Sequence, residues 1–229
     1  MRILVGFIAA LSLAAIARGA SPSPGDPVTF PTQDGGIVYG LVYGEGERGV
    51  VLAHGGQFNK ESWEKQAQAL TGAGFRVLAF DFRGYGQSRG PHDSKSDEGR
   101  HFDVLAAAAY LRKSGAKSVY VVGASMGGDY AAEAAEAEPS AIDRIVLLAS
   151  GGDTPLIKMK GPKLYIICRD DVEGDAKVPR LPEIHAQYEK ASGKKEFIIL
   201  EGSAHAQWIF ATDQGERLTR EILRFLSAP

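Results

Sequence analysis

The chain has 229 residues, 44% apolar and 24% charged, with a formal net charge of -2. That length suits one ordinary globular domain with a sizeable core. The near-neutral balance leaves no electrostatic footprint for nucleic acid or an anionic membrane, so small molecules are the expected partners. Met1-Arg2 gives a short positive start, and the nearly all-apolar run Ile3 to Ala17 leads to small residues at Gly19 and Ala20. This pattern predicts a secretory signal peptide over residues 1–20. About fifteen apolar residues fall short of the roughly 20 that span a bilayer. A secreted or periplasmic protein without a stable membrane anchor is therefore expected after cleavage. Residues 21–27, Ser-Pro-Ser-Pro-Gly-Asp-Pro, predict an extended spacer. A single domain is expected over residues 28–229.

Val28 to Phe30 and Ile37 to Tyr43 predict an antiparallel pair of strands, with Asp34-Gly35-Gly36 as the hairpin signal between them. Beyond them the apolar runs stop alternating: Val50 to Ala53, Arg76 to Phe80, Val119 to Val122, Ile145 to Leu148, Leu164 to Ile167 and Phe197 to Leu200. Such runs suit strands covered on both faces. Helix-length segments separate them at Lys60 to Leu70, Asp97 to Lys113, Met126 to Ala137, Leu181 to Ala191 and Gly215 to Phe225. The alternation predicts an α/β fold with a mostly parallel central sheet and helices on both faces. Cys168, the only cysteine, closes an apolar run and is expected to be a buried small hydrophobe. None of the five histidines forms a His-Glu-x-x-His pattern, and no metal or other cofactor is expected.

In Gly123-Ala124-Ser125-Met126-Gly127-Gly128 a β run meets a serine and then a helix. This is the pattern of a nucleophile elbow: small neighbours let the serine occupy a strained turn that lifts its hydroxyl above the sheet. The Met126 amide then stands at a helix N-terminus, where an unpaired N–H favours developing negative charge. A serine hydroxyl is a weak nucleophile and needs a neutral histidine oriented by a carboxylate. His205, in the loop after the run ending at Leu200, is the expected base; His92 and His101 lie in polar stretches and His185 on a helical segment. Asp171, just beyond the run ending at Ile167, is the leading acid, with Asp170, Glu173 and Asp175 as rivals. His54-Gly55-Gly56 supplies small residues after a strand. The Gly56 amide, with Gln57 next, is expected to complete an oxyanion site, and His54 to brace the loop by hydrogen bonding. Phe58, Trp63, Trp208 and Phe210 are each expected in the core.

The segments His54 to Gly56, Asp81 to Ser88, Gly123 to Gly128 and Gly202 to His205 together resemble the α/β-hydrolase superfamily, in its compact branch of dienelactone-hydrolase-like and other small serine esterases. The resemblance implies the α/β-hydrolase fold from about Val28 to Phe225. It carries the roles of nucleophile, acid and base onto Ser125, Asp171 and His205. It implies a structural role for Asp81 to Ser88. Dienelactone hydrolases usually carry a cysteine nucleophile where this chain has Ser125. Only residues 149–162 separate two strands where many relatives insert a helical cap, so no sizeable cap domain is expected. The implied function is a serine hydrolase acting on carboxylic esters; an acyltransferase, a peptidase or a non-catalytic binding protein on the same fold are the alternatives. Acyl and alcohol specificity and oligomeric state are not legible from the residues.

Overall fold

The computed structural model describes residues 24–150 and 152–229. The expected signal peptide and the first three residues of the spacer therefore lie outside the described residues. Strands β1 (Asp26–Pro31) and β2 (Ile37–Tyr43) form the expected antiparallel pair. The first strand starts two residues ahead of Val28, because the extended backbone that proline favours is also what an edge strand needs. Then follow β3 (Arg48–Ala53), β4 (Arg76–Phe80), β5 (Ser118–Ala124), β6 (Arg144–Leu148), β7 (Lys163–Cys168) and β10 (Lys195–Leu200). The eight strands pair in the order β1-β2-β4-β3-β5-β6-β7-β10, and every pairing from β4 to β10 is parallel.

Helices α1 (Glu64–Gly72), α2 (Arg100–Lys113), α3 (Met126–Ala137), α4 (Leu181–Lys190) and α5 (Gly215–Ser227) fall in the five expected segments. A 3-10 turn, Lys60–Trp63, opens the first of these. Leu52 on β3 and Val122 on β5 face α1 and α5, whereas Gly49, an odd number of residues away on β3, packs against Leu111 of α2. Alternation along a strand sends those side chains to opposite faces, so helices cover both. No helix of the described residues is long and apolar enough to cross a membrane. Within 149–162 the described residues contain neither helix nor strand. The sequence reading missed the 3-10 turns Pro91–Asp93 and Ala206–Ala211 and a ribbon of β8 (Val172–Glu173) and β9 (Val178–Pro179) between β7 and α4. Two-residue strands leave no periodicity to read.

The chain runs from β3 outward to β4, then crosses back to lay β5 on the other side of β3. The carboxyl ends of β3 and β5 are thus a topological switch point, where open parallel sheets leave a crevice. The loop after β4 walls this crevice and is held by a buried ion network. Arg83, 1% exposed, donates to Asp103 at 3.0 and 2.7 Å and to Asp34 at 2.6 Å. The hydrogen bonds from Arg83 are the main reason the Asp34 carboxyl titrates low, at about 2. Replacing Arg83 by leucine would leave Asp103, fully buried, without its counter-charge. A loss of about 3–5 kcal/mol is expected, measured as a lower urea midpoint at pH 7.

Candidate active site

Ser125 stands between β5 and α3 with φ 48° and ψ -123°, a conformation that side chains rarely adopt. Its N–H donates to the Leu148 carbonyl at 2.9 Å, and its carbonyl accepts from Gly128 and Asp129 at 2.8 and 3.1 Å. The glycines around it are steric necessities. A Cβ on Gly123 would sit 2.6 Å from Gly128 Cα, and one on Gly127 would overlap the Ala53 carbonyl. The serine Oγ lies 2.8 Å from His205 Nε2, and His205 Nδ1 lies 2.8 Å from Asp171 Oδ2. One proton on Nδ1 donates to the carboxylate, leaving Nε2 to accept from the hydroxyl.

Asp171 is 1% exposed, while Asp170, Glu173 and Asp175 are all exposed and take no part in this chain of hydrogen bonds. The β8–β9 ribbon seals it: the Arg180 N–H returns to the Asp171 carbonyl at 3.0 Å, and the Arg180 guanidinium pairs with Glu173 at 3.1 Å. Cys168 is buried, and desolvation pushes its thiol up to about 11, in keeping with an inert packing role.

The Gly55-Gly56 loop is fixed on several sides. His54 Nε2 accepts from the Phe82 N–H at 3.2 Å, so Nδ1 carries the proton and donates to the Gly55 carbonyl at 2.9 Å. Burial holds the His54 ring below the ordinary histidine pKa, and with both nitrogens engaged it acts as a brace. Tyr85 Oη donates to the Gly56 carbonyl at 2.9 Å. Gln207 Oε1 accepts the Gly55 N–H at 2.7 Å, while its Nε2 donates to Ser62 Oγ at 2.9 Å. Among the described residues the N–H groups of Gly56 and Met126 donate to no protein acceptor. Gln207 and Tyr85 were missed in the sequence because their partners lie far along the chain. Trp63 is buried as expected, but Trp208 is 51% exposed, because its loop carries it past the edge of the core.

Asp129 in the first turn of α3 accepts from Ser150 Oγ at 2.8 Å, and burial raises its carboxyl to about 6. Because the folded value exceeds the ordinary 3.8, its stabilising protonation is complete below that value and is lost as pH rises through about 6. The melting temperature of Asp129→Asn should therefore gain on that of the native protein, by a few degrees, between pH 4 and pH 8. An unchanged difference in melting temperature across that range would contradict it.

Comparison with known proteins places this geometry in context. The alpha/beta hydrolase fold family matches residues 49–166, just over half of the chain. A non-heme chloroperoxidase of Streptomyces lividans is 30% identical over 123 residues, covering 53% of this chain and 44% of that protein. A 2-hydroxy-6-oxononadienedioate/2-hydroxy-6-oxononatrienedioate hydrolase of Pseudomonas sp. is 32% identical over 111 residues, 47% of this chain and 38% of its own. The chain thus spans less than half the length of either relative. An esterase from Exiguobacterium antarcticum superposes with a TM-score of 0.70 over 87% of this chain and 99% of that one, at 15% identity, a likeness of fold. By its sequence match and its architecture, this chain belongs to the alpha/beta hydrolase fold family.

Proposed function

We propose that the protein is a serine hydrolase of carboxylic esters, with Ser125 as nucleophile, His205 as base and Asp171 as the orienting acid. The observation that carries this reading is the unbroken relay from Ser125 Oγ through His205 to Asp171, two bonds of 2.8 Å each. Nε2 takes the hydroxyl proton as Oγ attacks the ester carbonyl, and the carbonyl π electrons move onto oxygen. The N–H groups of Met126 and Gly56 receive that oxyanion. Collapse expels the alkoxide, which takes the proton from the imidazolium and leaves the acyl group on Ser125. Water, deprotonated by the same nitrogen, then releases the acid and restores the serine. Asp171 stabilises the imidazolium without itself accepting a proton.

Ser125→Ala should abolish ester turnover and fluorophosphonate labelling while leaving the fold and melting temperature near native. Labelling that persists in the variant would refute the assignment. Gln207→Leu strands the Gly55 N–H and loosens the oxyanion loop. Its kcat should drop on the order of 10- to 100-fold with KM little changed, as resolved by steady-state kinetics.

A further inference from the structure

Phe58 and Trp208 meet at the mouth of the site, their ring centroids 4.9 Å apart at an interplanar angle of 56°. Single exposed apolar side chains are ordinary on a protein surface. This pair differs because its two rings come from the two loops that carry the proposed chemistry. Phe58 follows Gly56 by two residues, and its N–H donates to the Gly55 carbonyl at 3.0 Å. Trp208 follows His205 by three, and its N–H donates to the His205 carbonyl at 3.0 Å. A Cβ built on Gly55 would lie 3.6 Å from Phe58 Cδ2 and 3.4 Å from the Ala124 carbonyl, so the Phe58 ring borders the backbone that leads into Ser125. Both anchors fix where the rings stand.

Half of the Trp208 side chain remains in solvent even with Phe58 against it. Phe58 also lines a cleft of about 610 Å³, which it shares with Gly56, Lys60, Glu61, Asp81 and Tyr85 and which does not extend to Trp208. The exposed face of the tryptophan, three residues from His205, is free to take a further ring stacked offset or edge-on. Such aromatic pairs gain about 0.5–1.5 kcal/mol beyond the area they bury, which favours an aryl group over an alkyl group of the same size.

Building on the hydrolase reading above, we infer that Phe58 and Trp208 form a binding platform for an aromatic ring carried by the ester substrate. The ring lies in either the acyl or the alcohol half, and the experiment separates the two. Acid release is followed for vinyl acetate, vinyl phenylpropionate and vinyl cyclohexylpropionate, and for ethyl, benzyl and cyclohexylmethyl acetate. In one series the native protein should favour the phenyl ester over its cyclohexyl counterpart by about three- to tenfold in kcat/KM. That preference should collapse toward parity in Trp208→Leu, and shrink in Phe58→Leu, with melting temperatures recorded for both variants. Equal turnover of phenyl and cyclohexyl esters in both series, or a preference that survives Trp208→Leu, overturns the platform and leaves the hydrolase reading standing. A native protein that turns over none of these esters and takes no fluorophosphonate label overturns both.

Discussion

Helix α3 begins one residue after β5 ends, with only Ser125 between them, and that abrupt turn governs the site. The helix can start there because its first residues press directly on the ends of β3 and β5. Gly127 touches the backbone at Ala53, and Gly123 touches Gly128, contacts closer than any Cβ allows. Ser125 bears the cost, a positive φ worth about 1–3 kcal/mol in a residue with a side chain. Three backbone hydrogen bonds, from Ser125 to Leu148 and to it from Gly128 and Asp129, hold the serine in that state. The hydroxyl direction is thus set before a substrate arrives, and so is the N–H of Met126.

The opposite wall of the site is a flexible type of segment made stiff by its partners. Two consecutive glycines would ordinarily leave Gly55 and Gly56 many conformations. His54, Tyr85 and Gln207 hold their carbonyl and amide groups from three directions, drawn from the residue after β3, the β4 loop and the histidine loop. The Gly56 N–H is left unheld, the group the proposed oxyanion site needs. Gln207 stands two residues from His205, so the His205 loop and the Gly55-Gly56 loop share one buried carboxamide. Displacing either moves the other.

The core strands were legible because a parallel sheet buries both faces, which turns each strand into an apolar run without alternation. Ser125 was legible because steric demand fixes the identity of its neighbours. Asp171 was not separable by sequence from three nearby acids, since what distinguishes it is burial beneath a ribbon whose strands are two residues each. Gln207 was invisible for a related reason: its role depends on Gly55, 152 residues away, and a glutamine in a loop has no local signature. Trp208 misled in the opposite sense. Large aromatics belong inside on average, yet the three-residue spacing from His205 leaves this one at the rim.

The absence of helix and strand from the described residues of 149–162 has a consequence for where substrate recognition can reside. Among the described residues of 149–162 no inserted layer stands over the sheet edge to supply apolar contacts from above. Selectivity must come from the loops that already carry the machinery, and these are short. The β8–β9 ribbon places the exposed Val172 directly after Asp171, and the histidine loop places Trp208 directly beyond His205. Residues that orient the reacting groups and residues that meet the substrate are therefore neighbours on the same backbone. On the proposed reading, a substitution at such positions acts on the geometry of the relay as well, which ties the range of substrates to the rigidity of the loops around it.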